Sequence, residues 1–558
     1  MARDRRAVDI MKLGLLQVCL TLLLSAVAPA FVSAHVMKTS ATLFLDSNGN
    51  VQLQLETSIP VDVLRFQSDG RIRIRTWRPS DGIRLAANGL ELRSAKPLTR
   101  FDVQLGSLEY DGAIDRMYSP IVFFGDKRAV AIYSDYLLPK GGESVVLKHG
   151  GIVLGKRVLP ESVAWHASQA ATYIVLGQAD LKEVGGLVTT IDHAVPKWVS
   201  ERVNELAVKL LKYYTKTFRS QPRFTPWILL TSNTDSGRGG LAYRGDTSGS
   251  MVRLNLVGVD WIKANPETAG PTIDAFLAHE MFHYWNGGIW SPDNEAATWI
   301  LEGGADAVAH YALYEIGSIK IERYKELVAS SIAECARIKG RTLHEKLRAG
   351  GRAYYTCGAA AFHFASRVLT PSEANPLKLW KIMFQSAGRS RTYSEAGLQS
   401  TLEQLQANAS EEASLDLIAS RIGWSDFLSI AYSSGWLTRP DQDQLINPYI
   451  APIVLDEIVL AIVEEDCKGS ISVHYHLQEY IIEALPSCQR IKEDLKAKYL
   501  GGFAMRSHGA DAVRYAIEQC GKKGVLELSE SKSEPARSLS FECPSKGLVP
   551  ATLFWPKF

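Results

Sequence analysis

The stretch from Asp274 to Asp306, DAFLAHEMFHYWNGGIWSPDNEAATWILEGGAD, places the tightest constraint on how this chain can fold. It contains an H-E-x-x-H motif formed by His279, Glu280 and His283. On an α-helix the two histidines project from the same face, one turn apart. Imidazoles placed in this way can bind one zinc ion, and Glu280 can deprotonate a water on that ion. The motif therefore predicts a helix that carries a metal site.

A catalytic zinc site needs a third protein ligand and an open fourth position. Glu302 is the candidate ligand, because it lies in a second apolar segment that can form a helix and pack against the first. Asp306 follows Glu302 by four residues, so it can face the same site and accept a hydrogen bond from a ligand histidine. We expect one zinc ion per chain, bound by His279, His283 and Glu302.

The alternative is a chance match, because many ordinary amphipathic helices contain H-E-x-x-H. Two further features favour the metal site. An apolar, helix-compatible run at residues 273–278 precedes the motif, and Gly287-Gly288 supplies a helix stop directly after it. Together with Glu302 and Asp306 at helical spacing, these features make a metal site the preferred interpretation.

The order H-E-x-x-H, eighteen intervening residues and then a glutamate is the pattern of the gluzincin metallopeptidases, which include thermolysin-like and aminopeptidase N-like enzymes. The chain most closely resembles the glycyl aminopeptidase family, whose members read H-E-x-F-H-x-W-N and W-L-x-E-G-x-x-D-Y. Here His279–Asn286 reads HEMFHYWN and Trp299–Asp306 reads WILEGGAD. The resemblance is looser from about Pro196 to Trp436. It implies a thermolysin-like, mostly α-helical catalytic domain and zinc-dependent hydrolysis of a peptide or protein substrate.

A tyrosine is expected near the metal, because a phenol can stabilise the oxyanion that forms when water attacks a carbonyl. In the resembled families this tyrosine opens a Y-x-K-G motif on a later helix, and here the sequence YYTCG begins at Tyr354. The resemblance implies that Tyr355 has this role, with Tyr354 as the alternative. Cys357 stands where the family has lysine. Without the resemblance, a tyrosine in an alanine-rich helix predicts a core side chain.

The expected substrate-binding segment departs from the family pattern. Glycyl aminopeptidases carry G-G-L-E-H, and its glutamate binds the free amine of the substrate. The corresponding residues here are Gly239, Gly240, Leu241, Ala242 and Tyr243. An ammonium group that leaves water needs a carboxylate or several acceptors, and Ala242 offers neither. Asp246 is a nearby carboxylate that could replace the glutamate, and the two glycines also fit a simple tight turn.

Three functions therefore remain open on the sequence alone. The chain could be an aminopeptidase, an endopeptidase, or a non-catalytic zinc-binding scaffold or interaction protein derived from the peptidase fold. The complete set of ligands and base argues against the scaffold. The altered segment at Ala242 argues against strict aminopeptidase activity.

The length of 558 residues predicts several domains in a multidomain α+β protein. We expect a signal peptide at 1–34, an N-terminal β-sandwich at 35–190 and the zinc peptidase domain at 191–447. A small C-terminal α+β domain at 448–558 is PDZ-like by the resemblance, with the segment from Lys468 to Val473 as its carboxylate-binding loop. Within the first domain, strict alternation from Arg71 to Arg75 predicts a strand with a solvated arginine face.

The N-terminus indicates export. Basic residues precede an apolar run from Leu13 to Phe31, and Val32-Ser33-Ala34 fits a signal-peptidase site. An uncleaved membrane anchor is the alternative. We expect cleavage before His35 and a periplasmic or secreted protein with no membrane contact afterwards.

Cysteine usage agrees with export, because six cysteines follow the predicted signal peptide and an even number suits an oxidising compartment. Sequence proximity predicts that Cys335 pairs with Cys357. The pairing among Cys467, Cys488, Cys520 and Cys543 stays open.

The overall charge gives no sign of a nucleic-acid partner. The formal net charge is +2, with 46% hydrophobic and 22% charged residues, which is typical of an ordinary globular protein. A serine hydrolase of the G-x-S-x-G type is also excluded, since that motif does not occur. The oligomeric state is not predicted.

Overall fold

The computed structural model of the chain describes residues 37–557, except for gaps at 47–49, 107–119, 126–127, 170, 234–240, 249–250, 295–296, 372–373, 406–408, 448–449, 469–472, 477–478, 506–508, 533–536 and 545–552. The predicted signal peptide, residues 1–34, lies outside the described residues. Among the described helices, none combines the length and the apolar character that a membrane span needs.

The N-terminal region is built of β-strands with two short helices. In chain order these are β1 (Thr39–Leu45), β2 (Val51–Arg65), α1 (Gly70–Thr76), β3 (Trp77–Pro79), β4 (Ile83–Leu85), β5 (Glu91–Leu105), β6 (Ile121–Phe123), β7 (Ala129–Tyr133), α2 (Ser134–Leu137), β8 (Gly142–Leu147), β9 (Gly151–Val153), β10 (Lys156–Val158), β11 (Ser162–His166) and β12 (Tyr173–Gly177).

These strands form two sheets that share a core. The first has the order β11-β8-β1-β2-β5-β3 with β4 paired to β5, and the second has the order β10-β9-β12-β7-β6. Leu43, Leu53 and Phe101 of the first sheet belong to the same buried hydrophobic cluster as Val130 and Ile132 of the second. The prediction of a β-sheet domain at the N-terminus is confirmed.

The segment from Arg71 to Arg75 is a helix, so the predicted strand is wrong. Arg73 is fully buried, with its guanidinium carbon 4.2 Å from the ring centre of Phe66 and 5.0 Å from those of Trp77 and Tyr136. It also donates a hydrogen bond of 2.9 Å to the Tyr136 carbonyl. The packing of Arg73 among aromatic rings thus stabilises a helix here. The alternation of arginine and isoleucine covers five residues, which is too short a stretch to distinguish a strand from a helix.

A third sheet and a set of helices follow. In chain order the elements are β13 (Leu181–Val184), β14 (Leu187–Ile191), α3 (Lys197–Phe218), β15 (Trp227–Asn233), β16 (Ala242–Ser248), β17 (Met251–Val257), α4 (Pro266–Phe282), β18 (Ser291–Pro292), α5 (Thr298–Glu315), α6 (Ile321–Arg337), α7 (Leu343–Leu347), α8 (Arg352–Arg367), α9 (Pro376–Ala387), β19 (Thr392–Tyr393), α10 (Glu395–Leu405), α11 (Ala409–Ile418) and α12 (Trp424–Ser433). The third sheet thus begins before residue 191.

The central strands of the third sheet are buried on both faces. Its strand order is β13-β14-β15-β17-β16, so β16 forms an edge and runs antiparallel to β17. Along β15, Ile228 and Leu230 share a hydrophobic cluster with the helices, whereas Trp227 and Leu229 share one with Val175 of the second sheet. Because neighbouring side chains on a strand point to opposite faces, this explains the continuous apolar run in β15.

Helix α4 carries the metal motif and has defined ends. Asn265 caps its start by accepting a 2.8 Å hydrogen bond from the Glu267 amide, and Pro266 occupies the first turn. The helix ends at Phe282, and Gly287 then adopts a φ of 113°, a conformation that favours glycine. The predicted helix and its stop are both present.

Helices α5 and α8 approach closely through two glycines. A Cβ atom added to Gly303 would lie 2.3 Å from the Cα atom of Gly358. One added to Gly358 would lie 2.6 Å from the Trp299 carbonyl oxygen. Only glycine allows this contact, which brings Glu302 on α5 close to the start of α8.

The C-terminal region combines helices and small sheets. Its elements are β20 (Leu437–Thr438), α13 (Gln442–Leu445), α14 (Ala451–Asp466), β21 (Val473–His476), β22 (Glu479–Ile482), β23 (Leu495–Ala497), β24 (Tyr499–Leu500), β25 (Phe503–Ala504), α15 (Gly509–Lys522), β26 (Val525–Ser529), β27 (Ser538–Glu542) and β28 (Trp555–Pro556). Most of the predicted carboxylate-binding loop, residues 469–472, lies outside the described part of the chain.

A strand pair and three disulfides join elements that are separate in the chain. Strand β28 returns to pair with β20. Disulfides join Cys335 to Cys357, as sequence proximity predicts, and also join Cys467 to Cys488 and Cys520 to Cys543.

Replacing Gly358 with alanine should destabilise the protein, although alanine favours helices. The added methyl would overpack the α5–α8 contact, at a cost of about 1–3 kcal/mol. Gly521→Ala is the matched control, because a Cβ there meets nothing within 4 Å. Thermal unfolding should give a lower Tm for Gly358→Ala and an unchanged or higher Tm for Gly521→Ala. Equal Tm values for both variants would contradict the close contact.

Candidate metal centre

Three predicted ligands converge where α4 ends and α5 begins. The Nε2 atoms of His279 and His283 are 3.0 Å apart. One oxygen of Glu302 lies 3.3 Å from Nε2 of His279 and 3.6 Å from Nε2 of His283. These residues form a group of side chains able to hold a metal ion, and His279 is buried.

The orientation of both imidazoles is set by their other nitrogen. Nδ1 of His279 lies 2.7 Å from a carboxylate oxygen of Asp306, and Nδ1 of His283 lies 2.9 Å from the Asn286 carbonyl oxygen. Because a carbonyl oxygen only accepts, Nδ1 of His283 must carry the proton. In the tautomer that carries its proton on Nδ1, His279 donates a hydrogen bond to the Asp306 carboxylate. Both Nε2 lone pairs then point toward Glu302.

The spacing of the three atoms fits zinc. Tetrahedral coordination at about 2.0–2.1 Å separates ligand atoms by about 3.3 Å. The observed separations of 3.0, 3.3 and 3.6 Å bracket this value. Two neutral nitrogens and a carboxylate are also a donor set that zinc accepts in catalytic sites.

The charges around the site favour binding of a cation. Burial raises the pKa of the Glu302 carboxyl, but hydrogen bonds from His279 and His283, which need a proton on Nε2 in place of its lone pair, outweigh burial and hold that pKa well below its usual range. Burial lowers the pKa of His279, but the carboxylates of Asp306 and Glu302 reverse the sign and hold it well above its usual range. The carboxylates thus stabilise positive charge on the imidazoles, and a metal ion competes with protons for this position.

Glu280 points toward β16. The Thr247 hydroxyl lies 2.7 Å from a carboxylate oxygen of Glu280 and 2.8 Å from its backbone carbonyl oxygen. Burial raises the pKa of the Glu280 carboxyl, while the charges of His279 and His283 oppose the rise. Sequence reasoning missed Thr247, because a hydroxyl in a glycine- and serine-rich segment forms no recognisable pattern.

Asn286 is a second residue that the motif did not assign a role. Its carbonyl oxygen fixes His283, and its side-chain amide donates a 2.8 Å hydrogen bond to the Leu301 carbonyl. Its side-chain oxygen accepts from the Tyr393 hydroxyl. Asn286 therefore ties the loop after α4 to α5 and to β19. Asn286 could have been recognised from the sequence by its position three residues after His283 in the H-x-W-N pattern.

The structure places Tyr355, rather than Tyr354, at the metal centre. The Tyr355 ring stacks on His279, with ring centres 5.7 Å apart and planes inclined by 29°. Burial raises the pKa of its phenol, and the carboxylates of Glu302 and Glu280 raise it further. The phenol is therefore neutral and able to donate a hydrogen bond. Tyr354 instead packs against the hydrophobic core.

Of the predicted substrate-binding residues, Leu241, Ala242 and Tyr243 are described, and they lie at the start of β16, farther from the metal centre. Gly239 and Gly240 lie outside the described residues, and Leu241 is exposed. Ala242 is five positions from Thr247, about 17 Å along an extended strand. Alternation places its side chain on the opposite face of β16.

Tyr243 lies on the same face of β16 as Thr247. Its ring packs against Phe276 of α4, with ring centres 5.3 Å apart. Asp306 and Glu280 contribute to a raised pKa of its phenol, after the larger effect of burial. Of the described residues in the predicted substrate segment, Tyr243 is the one that faces the metal helix.

Asp246 does not face the metal centre, so it does not replace the missing glutamate there. It accepts a 3.0 Å hydrogen bond from the fully buried Arg253 of β17. The Arg253 guanidinium lies 4.8 Å from the ring centre of Tyr173 in the second sheet. This contact holds Asp246 on the face of β16 opposite to Thr247 and Glu280.

Comparison with solved structures identifies the overall architecture. The chain is similar to an aminopeptidase N family protein from Idiomarina loihiensis, with a TM-score of 0.57, 12% identity, and coverage of 94% of this chain and 98% of that one. The fold is that of an aminopeptidase N-like protein. No protein-family model and no curated protein matches the chain.

Two other similar structures are more distant. An M1 zinc metallopeptidase from Deinococcus radiodurans, solved as a mutant bound to a Tyr-Ser-Ala substrate, has a TM-score of 0.39 and 13% identity over 68% of this chain and 92% of that one. Legionella pneumophila aminopeptidase A in complex with aspartic acid has a TM-score of 0.41 and 11% identity over 70% of this chain and 49% of that one.

Asp306→Asn should weaken zinc binding while leaving the fold intact. Loss of the carboxylate that orients His279 typically costs about 10–100-fold in metal affinity. Glu315→Gln, an exposed position at the end of the same helix, is the control. Zinc retention measured against a competing chelator should fall for the first variant alone. Equal retention in both variants would show that Asp306 does not support a ligand.

Proposed function

We propose that this protein is a zinc-dependent metallopeptidase that hydrolyses peptide bonds. The observation that carries the proposal is the convergence of His279, His283 and Glu302, with Glu280 and Tyr355 beside them. The aminopeptidase N-like fold and the gluzincin pattern support it, and the H-E-x-F-H-x-W-N match favours a relationship to glycyl aminopeptidases. A zinc ion bound to the three ligands would polarise the substrate carbonyl and acidify a water molecule.

Glu280 carries out the proton transfers, and Thr247 positions it. Glu280 accepts the proton of the attacking water and delivers it to the leaving amine. The Thr247 hydroxyl donates to the ionised Glu280 carboxylate, and it can accept from the protonated form while donating to the Glu280 carbonyl. Thr247 therefore holds Glu280 in place in both protonation states.

Tyr355 and Asp306 complete the arrangement. The phenol of Tyr355, neutral at physiological pH, donates a hydrogen bond to the oxyanion of the tetrahedral intermediate. Asp306 holds His279 in the tautomer that directs Nε2 toward Glu302. The edge strand β16 can pair with an extended peptide, as in other cases of strand addition.

The specificity that we propose does not depend on a free N-terminal amine. Among the described residues of β16, the one carboxylate is Asp246, and it is paired with Arg253. Ala242 supplies no acceptor from its side chain. An endopeptidase, or a peptidase that tolerates a blocked N-terminus, fits this arrangement better than a strict aminopeptidase.

Export to the periplasm or the cell exterior belongs to the same proposal. The apolar segment after the basic N-terminus supports it. So do the three disulfides, because disulfides persist in oxidising compartments. The PDZ-like role of the C-terminal region stays a prediction from the resemblance.

Glu280→Gln should keep zinc bound and abolish most turnover. A general base of this kind contributes about 10²–10⁴-fold to rate. Thr247→Val should cost less, about tenfold, because it removes one hydrogen bond to the Glu280 carboxylate and leaves the base itself in place. Metal analysis and peptide hydrolysis by the purified proteins test both variants. Turnover by Glu280→Gln equal to that of the wild type would refute the mechanism.

Peptides that differ only in N-acetylation test the specificity. Because no carboxylate of β16 faces the site, we expect cleavage of both forms, with rates within about tenfold of each other, the factor that one lost hydrogen bond accounts for. Mass spectrometry of the products locates the cleaved bond. Cleavage of the free peptides alone would indicate an aminopeptidase, and zinc binding without any cleavage would favour the scaffold.

A further inference from the structure

The first turn of α8 carries Tyr355, and its N-terminal residue, Gly351, provides no side-chain cap. Gly350 and Gly351 precede it with φ angles of 65° and 51°. A Cβ atom added to Gly351 meets nothing within 4 Å, and Gly351 makes no side-chain capping hydrogen bond. Backbone hydrogen bonds, such as that from the Gly350 amide to the Leu347 carbonyl at 2.9 Å, hold this helix start, and neither glycine adds a side-chain contact. Other contacts must therefore hold Tyr355 in place.

A disulfide and an ion pair join the first two turns of α8 to the last turn of α6. The disulfide is Cys335–Cys357, and both of its cysteines are fully buried. The ion pair is that of Arg352 with Glu334, in which the guanidinium donates hydrogen bonds of 2.8 and 2.6 Å. The arginine side chain is 77% exposed, so the ion pair contributes little. The covalent link dominates.

The α6 side of the disulfide is rigid. The ammonium group of Lys346 donates to the Cys335 carbonyl at 3.1 Å and to the Ala336 carbonyl at 3.2 Å. These bonds satisfy carbonyl groups that the end of α6 leaves without helical partners. Cys335 therefore offers a fixed point to which the start of α8 is attached.

The disulfide and the phenol lie on opposite sides of α8. Residues two positions apart on a helix are about 200° apart around its axis, so Cys357 points away from Tyr355. Gly358 meanwhile contacts Gly303, the neighbour of Glu302. The helix is thus held on one side by the disulfide and on another by α5, while Tyr355 stacks on His279.

We propose that the Cys335–Cys357 disulfide is a positioning element for Tyr355. It fixes α8 at its second turn, two residues after Tyr355, so that the phenol reaches the oxyanion. The catalytic meaning of this role rests on the proposed function. Opening the disulfide shifts the phenol and slows turnover, because displacements of about 1 Å at a catalytic group are enough to reduce rates strongly. The three metal ligands lie on α4 and α5, so metal binding is unaffected.

The test compares two double variants of the full chain. Cys335→Ser/Cys357→Ser opens the disulfide next to Tyr355, and Cys467→Ser/Cys488→Ser opens one with a separation of 21 residues instead of 22. The first should lower kcat about tenfold or more, as expected for a misplaced catalytic group, with unchanged KM and zinc content. The second should keep the wild-type kcat.

A double-mutant cycle with Tyr355→Phe distinguishes an effect of the disulfide on the position of the phenol from a general loss of rigidity in the protein. If the disulfide acts through the phenol, opening it in the Tyr355→Phe background should change kcat by less than about twofold, since the two changes are then not additive. An equal fold-loss in both backgrounds, an unchanged kcat in the disulfide variant, or loss of zinc would overturn the proposal.

Hydrogen–deuterium exchange gives a readout that does not depend on activity. Opening Cys335–Cys357 should speed exchange in peptides from residues 352–360 and leave those from 298–306 unchanged. Unchanged exchange at residues 352–360 would overturn the proposal, whether or not the wild type cleaves peptides. Absence of cleavage by the wild type would contradict the proposed function alone. If the serine pair does not fold, Cys335→Ala/Cys357→Val restores the buried apolar volume and takes its place.

Discussion

The convergence of two imidazoles and one carboxylate between α4 and α5 is the constraint that organises this protein. Three donor atoms at separations of 3.0–3.6 Å repel one another unless a proton or a metal ion lies among them. Asp306 and Asn286 fix the histidines, and the glycine contact between α5 and α8 fixes the helix that carries Glu302. The site is therefore preorganised by contacts that lie outside it.

The sequence predicted the parts of this arrangement that follow from local helical geometry. His279 and His283 lie one turn apart, and Glu302 and Asp306 do the same, so two short periodic segments disclose four side chains of the site. Proximity along the chain likewise predicted that Cys335 pairs with Cys357. In each of these cases the partners are close in sequence or repeat at a helical spacing.

Residues whose roles depend on tertiary packing were not accessible in this way. Thr247 approaches Glu280 from a strand 33 residues earlier, and only the docking of β16 on α4 brings them together. Asp246 looked available for substrate, but the alternation of β16 turns it toward the buried Arg253. The alternating arginines at residues 71–75 form a helix because Arg73 packs among aromatic rings. A short alternating sequence pattern therefore does not determine secondary structure where a large side chain packs in the core.

The return of β28 to β20 has a consequence for how the chain is made. The Lys557 amide donates to the Trp436 carbonyl, Arg367 of α8 donates to the Lys557 carbonyl, and Phe554 is buried in the core of the helical region. That core can close only after residues 554–557 have left the ribosome. During synthesis the helical region therefore stays incompletely packed until these last residues are available.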